Sequence, residues 1–434
     1  MSTATKSRIV ITRGMRRQQA RQARCQQRVP PHALLVAVDL AREKQAVCLM
    51  QHQRVVGRIL CETPAENFAP IFTAADEWCR EHQVQEQVFA MEPAGHYWML
   101  LAEQCEARAK PYVLLHPLSV ARERESARYN REKTDPRDAE WIANWAAQGK
   151  ITETVLPRTH AHAALQDLAY AYFDARRHAA SARTALHNFW HRLVPEFFTI
   201  FRDATRDSAL ATALALKPFS EMCRLTPEAW LVEVRRHMRK TRLQKKRVLA
   251  LHAAILAAAQ QPHRRAGEGM PWRIRLAAER RRLLETHKQL LRERILEHYA
   301  ARPEAAYLNS ITGADVFHNA LTLGLIGELE AYDDPRTLVK LAGLEINHFQ
   351  SGTMKKNSHI SYRGRVRLRT AAYQQARFLV KRNPVYAARF AQLLRDKKFS
   401  AQQCYVAIAN SYLRTMHVLA KTKTFYRAPT TSNT

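Results

Sequence analysis

Four carboxylates in the first third of the chain have the residue types and spacing to do metal chemistry. Asp39 closes the apolar run LLVAVDL at residues 34–40, and Glu92 follows another apolar run in FAMEPAGHYW. Asp135 and Asp138 stand three apart in KTDPRDAEWIA, residues 133–143. A spacing of three at the start of a helix directs both side chains from one face. Hard divalent cations such as Mg²⁺ take carboxylate oxygens as ligands, and phosphodiester cleavage uses such cations to bridge attacking and leaving oxygens. Four converging carboxylates would repel one another unless a cation neutralised them. Taken singly, each has a plainer reading. An aspartate after a strand is a common turn residue, and acids in a helix's first turn complement the macrodipole. The set is what points to catalysis.

The elements that must position these groups are legible in the surrounding pattern. LLVAVDL (34–40), AVCLM (46–50) and RVVGRIL (54–60) predict three short strands. TPAENFAPIFTAADEWCREHQ predicts a helix with Thr63 as its N-cap, followed by a strand at 87–91, a helix from about 97 and a strand at 111–116. That order is the one expected of a ribonuclease-H-like domain. Asp39 and Glu92 then fall at strand ends. Asp135 and Asp138 open the next helix, with Thr134 as N-cap and Pro136 tolerated in the first turn.

Beyond residue 155 the character changes. Leu165, Leu168, Tyr172, Ala175, Ala179, Ala182, Leu186, Phe189 and Leu193 alternate steps of three and four, which predicts a coiled-coil-like helix. Leu276, Leu283, Leu284, Leu291 and Ile295 predict a second long helix that returns against it. Between them, RRHMRKTRLQKKR (235–247) holds eight basic residues and no acid. Such a run suits a phosphate-tracking face, with Arg239, Lys240, Lys245 and Lys246 as candidate contacts. From 301 on the chain reads as mostly helical, with a glycine-centred turn in ITGAD that suits either a phosphate contact or plain packing.

Bulk composition favours a polyanionic partner. The chain has 434 residues, too many for one typical core, and a formal net charge of +30. A pI near 10.3 points to nucleic acid ahead of anionic membrane, since no basic stretch is paired with a bulky apolar face. No apolar run reaches the roughly 20 residues that a membrane helix needs. The seven cysteines are scattered without a C-x-x-C, which fits a reducing cytoplasm better than a disulfide scaffold. The first 30 residues carry eight Lys/Arg and no acid, the composition of a disordered arm for phosphate backbones or of a transit peptide. His187 and His191 are spaced like some zinc ligands, but no third ligand accompanies them, and packing or surface roles fit them better.

VAVDLA, MEPAGHYW and KTDPRDAEWIA, followed far downstream by FQSG and HISYRGRVRLR, resemble the DEDD transposases of bacterial insertion sequences, the IS one-ten and IS eleven-eleven group. The resemblance runs from about 33 to about 425. It implies a RuvC-like domain (33–155) whose Mg²⁺ ligands, a pair of ions per site, are Asp39, Glu92, Asp135 and Asp138. It implies also a coiled-coil and basic helical segment (156–300) and a C-terminal transposase domain (301–425) with Ser351 as nucleophile, between a basic arm (1–32) and a short tail (426–434). A noncoding bridge RNA, donor and target double-stranded DNA, and assembly of dimers into tetramers are implied as partners, in a bacterial, nucleoid-associated setting. Three positions depart from the pattern: Ala94 stands where Thr is usual, Tyr362 where Lys is general, and ITGAD keeps one glycine of the usual hairpin turn.

A serine nucleophile has its own logic. Recombination must reseal DNA without ATP, and a phosphoserine conserves the energy of the broken bond. Lys355, Lys356, Arg363 and Arg365 stand near enough in sequence to hold the scissile phosphate, Lys133 and Arg137 flank the paired aspartates, and Ser358 and Ser361 are rival nucleophiles. Two simpler readings share the same charge: a Holliday-junction nuclease that uses the metal site alone, and a non-catalytic nucleic-acid-binding protein. The first predicts nicked junctions without a covalent adduct. The second predicts function that survives loss of all four carboxylates.

Overall fold

The computed structural model describes residues 27–62, 67–115, 135–151, 160–239, 242–261, 269–347, 350–351, 354–355 and 359–428, with positions 19 and 23; at 135, 136, 160, 161, 347, 350, 351, 354 and 355 it describes the main chain. The basic arm lies almost wholly outside these residues, as do Lys133, Thr134, Lys240, Lys356 and Ser358. Two compact units divide the chain, Met1–Pro157 and Arg158–Thr434.

The first unit is a five-stranded sheet with helices on both faces. Its strands are β1 (Leu34–Asp39), β2 (Gln45–Gln51), β3 (Arg54–Cys61), β4 (Gln87–Met91) and β5 (Tyr112–Leu114), in the order β3-β2-β1-β4-β5. β1 runs antiparallel to β2 and parallel to β4, and β5 is parallel to β4. β1 is apolar without alternation because both of its faces are covered. Leu34, Val36 and Val38 pack with α1 (Ala69–Glu81) and α2 (Tyr97–Ala107). Leu35 and Ala37 pack with Ala139, Ile142, Ala143 and Ala146 of α3 (Asp135–Ala147). The edge strand β3 leaves Val55, Val56 and Leu60 exposed.

The predicted strand positions agree with these elements to within about a residue at most ends. The start of α1 differs. The helix begins at Ala69 behind Phe68, well after Thr63, which lies outside the described residues. Pro70 fits the first helical turn, where its missing N–H is unneeded, and Asn67 Oδ1 accepts from the Ala69 N–H at 3.2 Å.

Among the described residues the second unit is mainly helical, with four two-residue strands. α4 (His160–Leu193) runs along α10 (Gly269–Ala300), and short helices fill the interval: α5 (Phe197–Ile200), α6 (Asp207–Ala215), α7 (Phe219–Met222), α8 (Pro227–His237) and α9 (Lys245–Ala259). Trp190 and Trp230, both fully buried, centre the core of this interval. It is therefore a folded helical layer as well as a pair of long helices. The predicted seam on α4 is right at Leu165, Ala175, Ala179, Ala182, Leu186 and Leu193, but Ala169, Phe173 and Trp190 take the inner places expected for Leu168, Tyr172 and Phe189. The buried face is thus wider than a strict heptad seam, as expected of a helix packed against more than one neighbour. On α10 the departure is larger. Ile274, Ala278, Ile295 and Tyr299 are buried, whereas Leu276 and Leu283 are 60% and 56% exposed.

The C-terminal part comprises α11 (Glu304–Asn309), α12 (Val316–Ile326), α13 (Pro335–Leu341), β6 (Ile346–Asn347), β7 (Gln350–Ser351), β8 (Met354–Lys355), β9 (His359–Ile360), α14 (Val366–Arg382), α15 (Pro384–Asp396) and α16 (Ala401–Thr422). β6 pairs with β9 and β7 with β8, both antiparallel. No helix among the described residues is long and apolar enough to cross a membrane.

Candidate active site

Register decides where the first two carboxylates stand. Val38 of β1 pairs with Met91 of β4 in the parallel ladder, and Asp39 and Glu92 are the next residues outward on each strand. Adjacent strands lie about 4.8 Å apart, so the two acids are side by side at the carboxyl end of the sheet. Alternation assigns their direction. Asp39 shares parity with Leu35 and Ala37, and Glu92 with Val88 and Ala90, all on the α3 face. Leu115, level with Glu92 one strand over, lies in that same layer. Both acids are half-buried.

α3 brings the third carboxylate to the same face. Asp138 is 2% exposed and adjoins Ala139, which is buried against the sheet. One turn is anchored by an ion pair between Arg58 of β3 and Glu140. Arg58 pairs in register with Cys48, and Cys48 with Ala37, two residues from Asp39. Glu140 beside Cys48 also adds to the burial that pushes that thiol up to about 11. Neither member of this anchor stood out in the sequence, because an ion pair between residues 82 apart has no local signature. Asp135 is the first residue of α3, and Arg137 is exposed in its first turn.

Asp39, Glu92 and Asp138 thus share one face of one sheet. Hard carboxylate oxygens are the donor set that Mg²⁺ takes, so the residue types fit that ion. Their spacing in this structure is open: no three His, Cys, Asp or Glu side chains among the described residues are close enough to hold a metal.

In the second unit Ser351 ends β7, opposite Met354 and two residues before β8 resumes; Lys355 pairs with Gln350. In sequence the β7–β8 pair, with the serine, lies within a short β-arm bounded by the β6–β9 pair. These strands were not foreseen in FQSGTMKKNSHISYRG, where each is only two residues long. Ser361 is engaged locally, its Oγ accepting from the Arg363 N–H at 3.4 Å while its own N–H donates to the Glu345 carbonyl at 2.7 Å.

The base of this arm is clamped to the end of α13. Gly343 has φ +65°, and a Cβ built on Gly364 would collide with the Gly343 nitrogen, so the two glycine backbones touch. The N–H of Arg365 donates to the Leu341 carbonyl at 2.7 Å, and that of Tyr362 to the Gly343 carbonyl at 3.2 Å. Arg365, a candidate phosphate ligand, directs Nη1 to the Leu325 carbonyl at 2.5 Å in the last turn of α12. A cation there satisfies a helix carbonyl and complements the dipole. Arg369 Nη1 similarly donates to the Ala342 carbonyl at 2.9 Å. Arg363 remains exposed.

The ITGAD turn packs. A Cβ on Gly313, φ +78°, would meet the Arg382 backbone at 2.8 Å, and Asn383 Nδ2 donates to the Thr312 carbonyl at 2.8 Å. The basic run 235–247 is split: Arg235 and Arg236 end α8, Lys245 and Lys246 begin α9, and Arg239 in the connection donates to Thr286 Oγ1 at 3.1 Å. It is not one helical face. His187 and His191 both lie against Phe198, and His187 Nε2 is 3.5 Å from Asp203 Oδ1, a packing arrangement.

A mixed α/β unit with strand-end carboxylates, followed by a helical unit, is an arrangement compatible with enzymes that act on nucleic-acid phosphodiesters. The comparisons narrow the class. The DEDD Tnp IS110 transposase model matches residues 36–199, and the Transposase IS116/IS110/IS902 family model matches residues 305–391. The chain belongs to this IS110 family of transposases, enzymes of DNA strand cleavage and transfer. Curated proteins offer no match to it.

Proposed function

We propose that this transposase cuts and rejoins donor and target DNA under the guidance of a noncoding RNA, through a phosphoserine formed on Ser351. The observation that carries the reading is the shared α3 face of Asp39, Glu92 and Asp138, in a sheet whose β3-β2-β1-β4-β5 order is compatible with a ribonuclease-H-like, RuvC-like domain. Asp39, Glu92, Asp135 and Asp138 are the residues that would hold Mg²⁺, a pair of ions; once bound, the metal would neutralise the carboxylates and lower the cost of charge on the attacking and leaving oxygens.

Ser351 Oγ then attacks phosphorus in line. The serine O–P bond forms, the bond to one sugar oxygen breaks, and that oxygen leaves with a proton. Attack by a sugar hydroxyl on the phosphoserine reverses the balance and reseals the strand. Exposed Arg363 and the Lys355 position on β8 contribute positive charge near the serine. Base pairing by the RNA chooses the sites, while the protein reads backbone and shape. Self-association, from dimer to tetramer, is supported by the leucines that α10 leaves outward. The setting is the bacterial cytoplasm.

Denaturing electrophoresis of the full chain after incubation with Mg²⁺ and labelled element-end DNA tests the mechanism. A covalent protein–DNA adduct is expected, absent in Ser351→Ala. Cleavage with normal products in Ser351→Ala would sink the nucleophile assignment and leave a metal-only nuclease. RNA co-purifying with the protein, once sequenced, is expected to contain loops matching the element ends and the insertion site.

A further inference from the structure

Residues 200–304 lie between the two family matches and hold a pocket that the carboxylate chemistry does not use. Its volume is about 740 Å³. Four guanidinium side chains line it: Arg202 and Arg206 from the turn leading into α6, and Arg242 and Arg247 from the turn and first residues of α9. All four are exposed, whereas Phe201 and Ser208, also in the lining, are buried and form its inner wall.

The lining is electrically unbalanced. Two acids contribute to it, Asp203 and Asp207. Asp203 is already committed, to Arg183 at 3.2 Å and to the Thr205 hydroxyl and N–H at 2.8 and 3.0 Å. Asp207 sits in the first turn of α6, where it complements that helix's N-terminus. Among the described residues none of the four arginines is ion-paired with a carboxylate; Arg247 uses one N–H on Gln244 Oε1 at 2.9 Å. Each guanidinium has five donors in a planar fork that matches phosphate oxygens. α9 adds to this, since its first turn holds no acid and its N-cap makes no side-chain hydrogen bond. Gln244 is placed by its N–H, which donates to Ser208 Oγ at 3.3 Å and so ties the α9 entry to the inner wall.

Size separates the ligand classes. Pockets of about 300–1,000 Å³ enclose molecules of nucleotide size, and a lone phosphate would leave most of this one empty. A recess of this size cannot admit a duplex, whereas an unpaired nucleotide splayed out of the stack can enter it. The geometry points to a pocket that takes one phosphate-bearing nucleotide of a single-stranded nucleic acid, its phosphate on Arg202, Arg206, Arg242 and Arg247 and its sugar and base toward Phe201. This rests on the proposed nucleic-acid function and deepens it: an unpaired segment of the guide, or of an opened DNA strand, is gripped here by its backbone.

The test is fluorescence anisotropy of the full chain without divalent metal, against labelled single-stranded RNA, single-stranded DNA and duplex DNA of one sequence across a salt series. Arg206→Ala/Arg242→Ala is expected to weaken single-strand binding by on the order of tenfold or more, and to flatten the log–log salt slope by about 0.7 for each phosphate no longer neutralised. The duplex should lose less. Loss on RNA alone assigns the pocket to RNA, and loss on both single strands assigns it to the backbone they share. Arg206→Lys/Arg242→Lys keeps the charge without the fork, so it should restore the slope but only part of the affinity, which a merely misfolded chain would not do. A loss no greater on single strands than on the duplex overturns the pocket. Failure of the wild-type chain to bind any probe overturns the nucleic-acid reading beneath it as well.

Discussion

Asp39 and Glu92 are neighbours because Val38 pairs with Met91 in a parallel ladder, which puts the two carboxylates one residue beyond the last paired rung. Residues 53 positions apart along the chain are thereby brought to about one strand spacing, on the face that α3 covers. Replacing Asp39 with Asn keeps shape and removes charge. Strand cleavage in Mg²⁺ should fall by at least about 100-fold, corresponding to the several kcal/mol a ligated metal supplies. A thermal melt run alongside separates loss of chemistry from loss of fold.

The position of Ser361 separates it from its rival. Its hydroxyl accepts from the Arg363 N–H within the turn, and its N–H is tied to Glu345. Ser361→Ala is therefore expected to leave the covalent adduct in place, while Ser351→Ala removes it. The reverse pattern on a denaturing gel would move the nucleophile to Ser361.

Close approach of Gly343 and Gly364 holds the arm to α13. Gly364→Ala inserts a methyl against the Gly343 nitrogen and the Leu341 carbonyl, and main chain cannot give way as a flexible side chain can. Destabilisation of about 2–3 kcal/mol is expected, seen as a lowered melting temperature. Gly95→Ala is the control: its φ of +66° carries strain, but nothing stands within 4 Å of the added atom, so its cost should be smaller.

Glu304 is nearly buried between His162 at 3.5 Å and Arg302 at 3.2 Å. Burial by itself would raise its pKa, but the adjoining His162 and Arg302, which donates to Glu304 Oε1 at 3.2 Å, outweigh it and hold the carboxyl down at about 2. A depressed folded pKa stabilises the fold above the unfolded value near 4.5, and the contribution is lost as pH falls toward 2. Wild type should lose on the order of 3 kcal/mol through that window. Glu304→Gln should show a flatter acid limb in denaturant titrations between those pH values.

Leu276, Leu283 and Leu290 are seven apart on α10 and each more than half exposed. Such spacing makes one apolar stripe with the heptad period that a partner helix covers. Leu276→Glu/Leu283→Glu is expected to shift the chain to a smaller species in analytical ultracentrifugation without lowering its melting temperature. An unchanged sedimentation profile would place self-association elsewhere.

The carboxylate positions were legible because strand ends are local events. Apolar runs stop at Asp39 and at Glu92, and a proline-tolerant acidic turn opens α3 at Asp135. Net charge likewise is a sum over residues, and it already pointed to nucleic acid. Only the fold decided the rest, since each remaining feature joins residues with no shared local signal. Register alone set Asp39 beside Glu92, and a cross-sheet ion pair, Arg58 with Glu140, anchored α3. Packing of α4 against several helices put Ala169 at the core in place of Leu168. A helix end 40 residues earlier supplies Arg365 with a carbonyl partner that its sequence neighbours do not reveal. The basic run 235–247 broke across two helices, so that Arg242 and Arg247 meet Arg202 and Arg206 around a pocket whose two halves are about 40 residues apart in sequence.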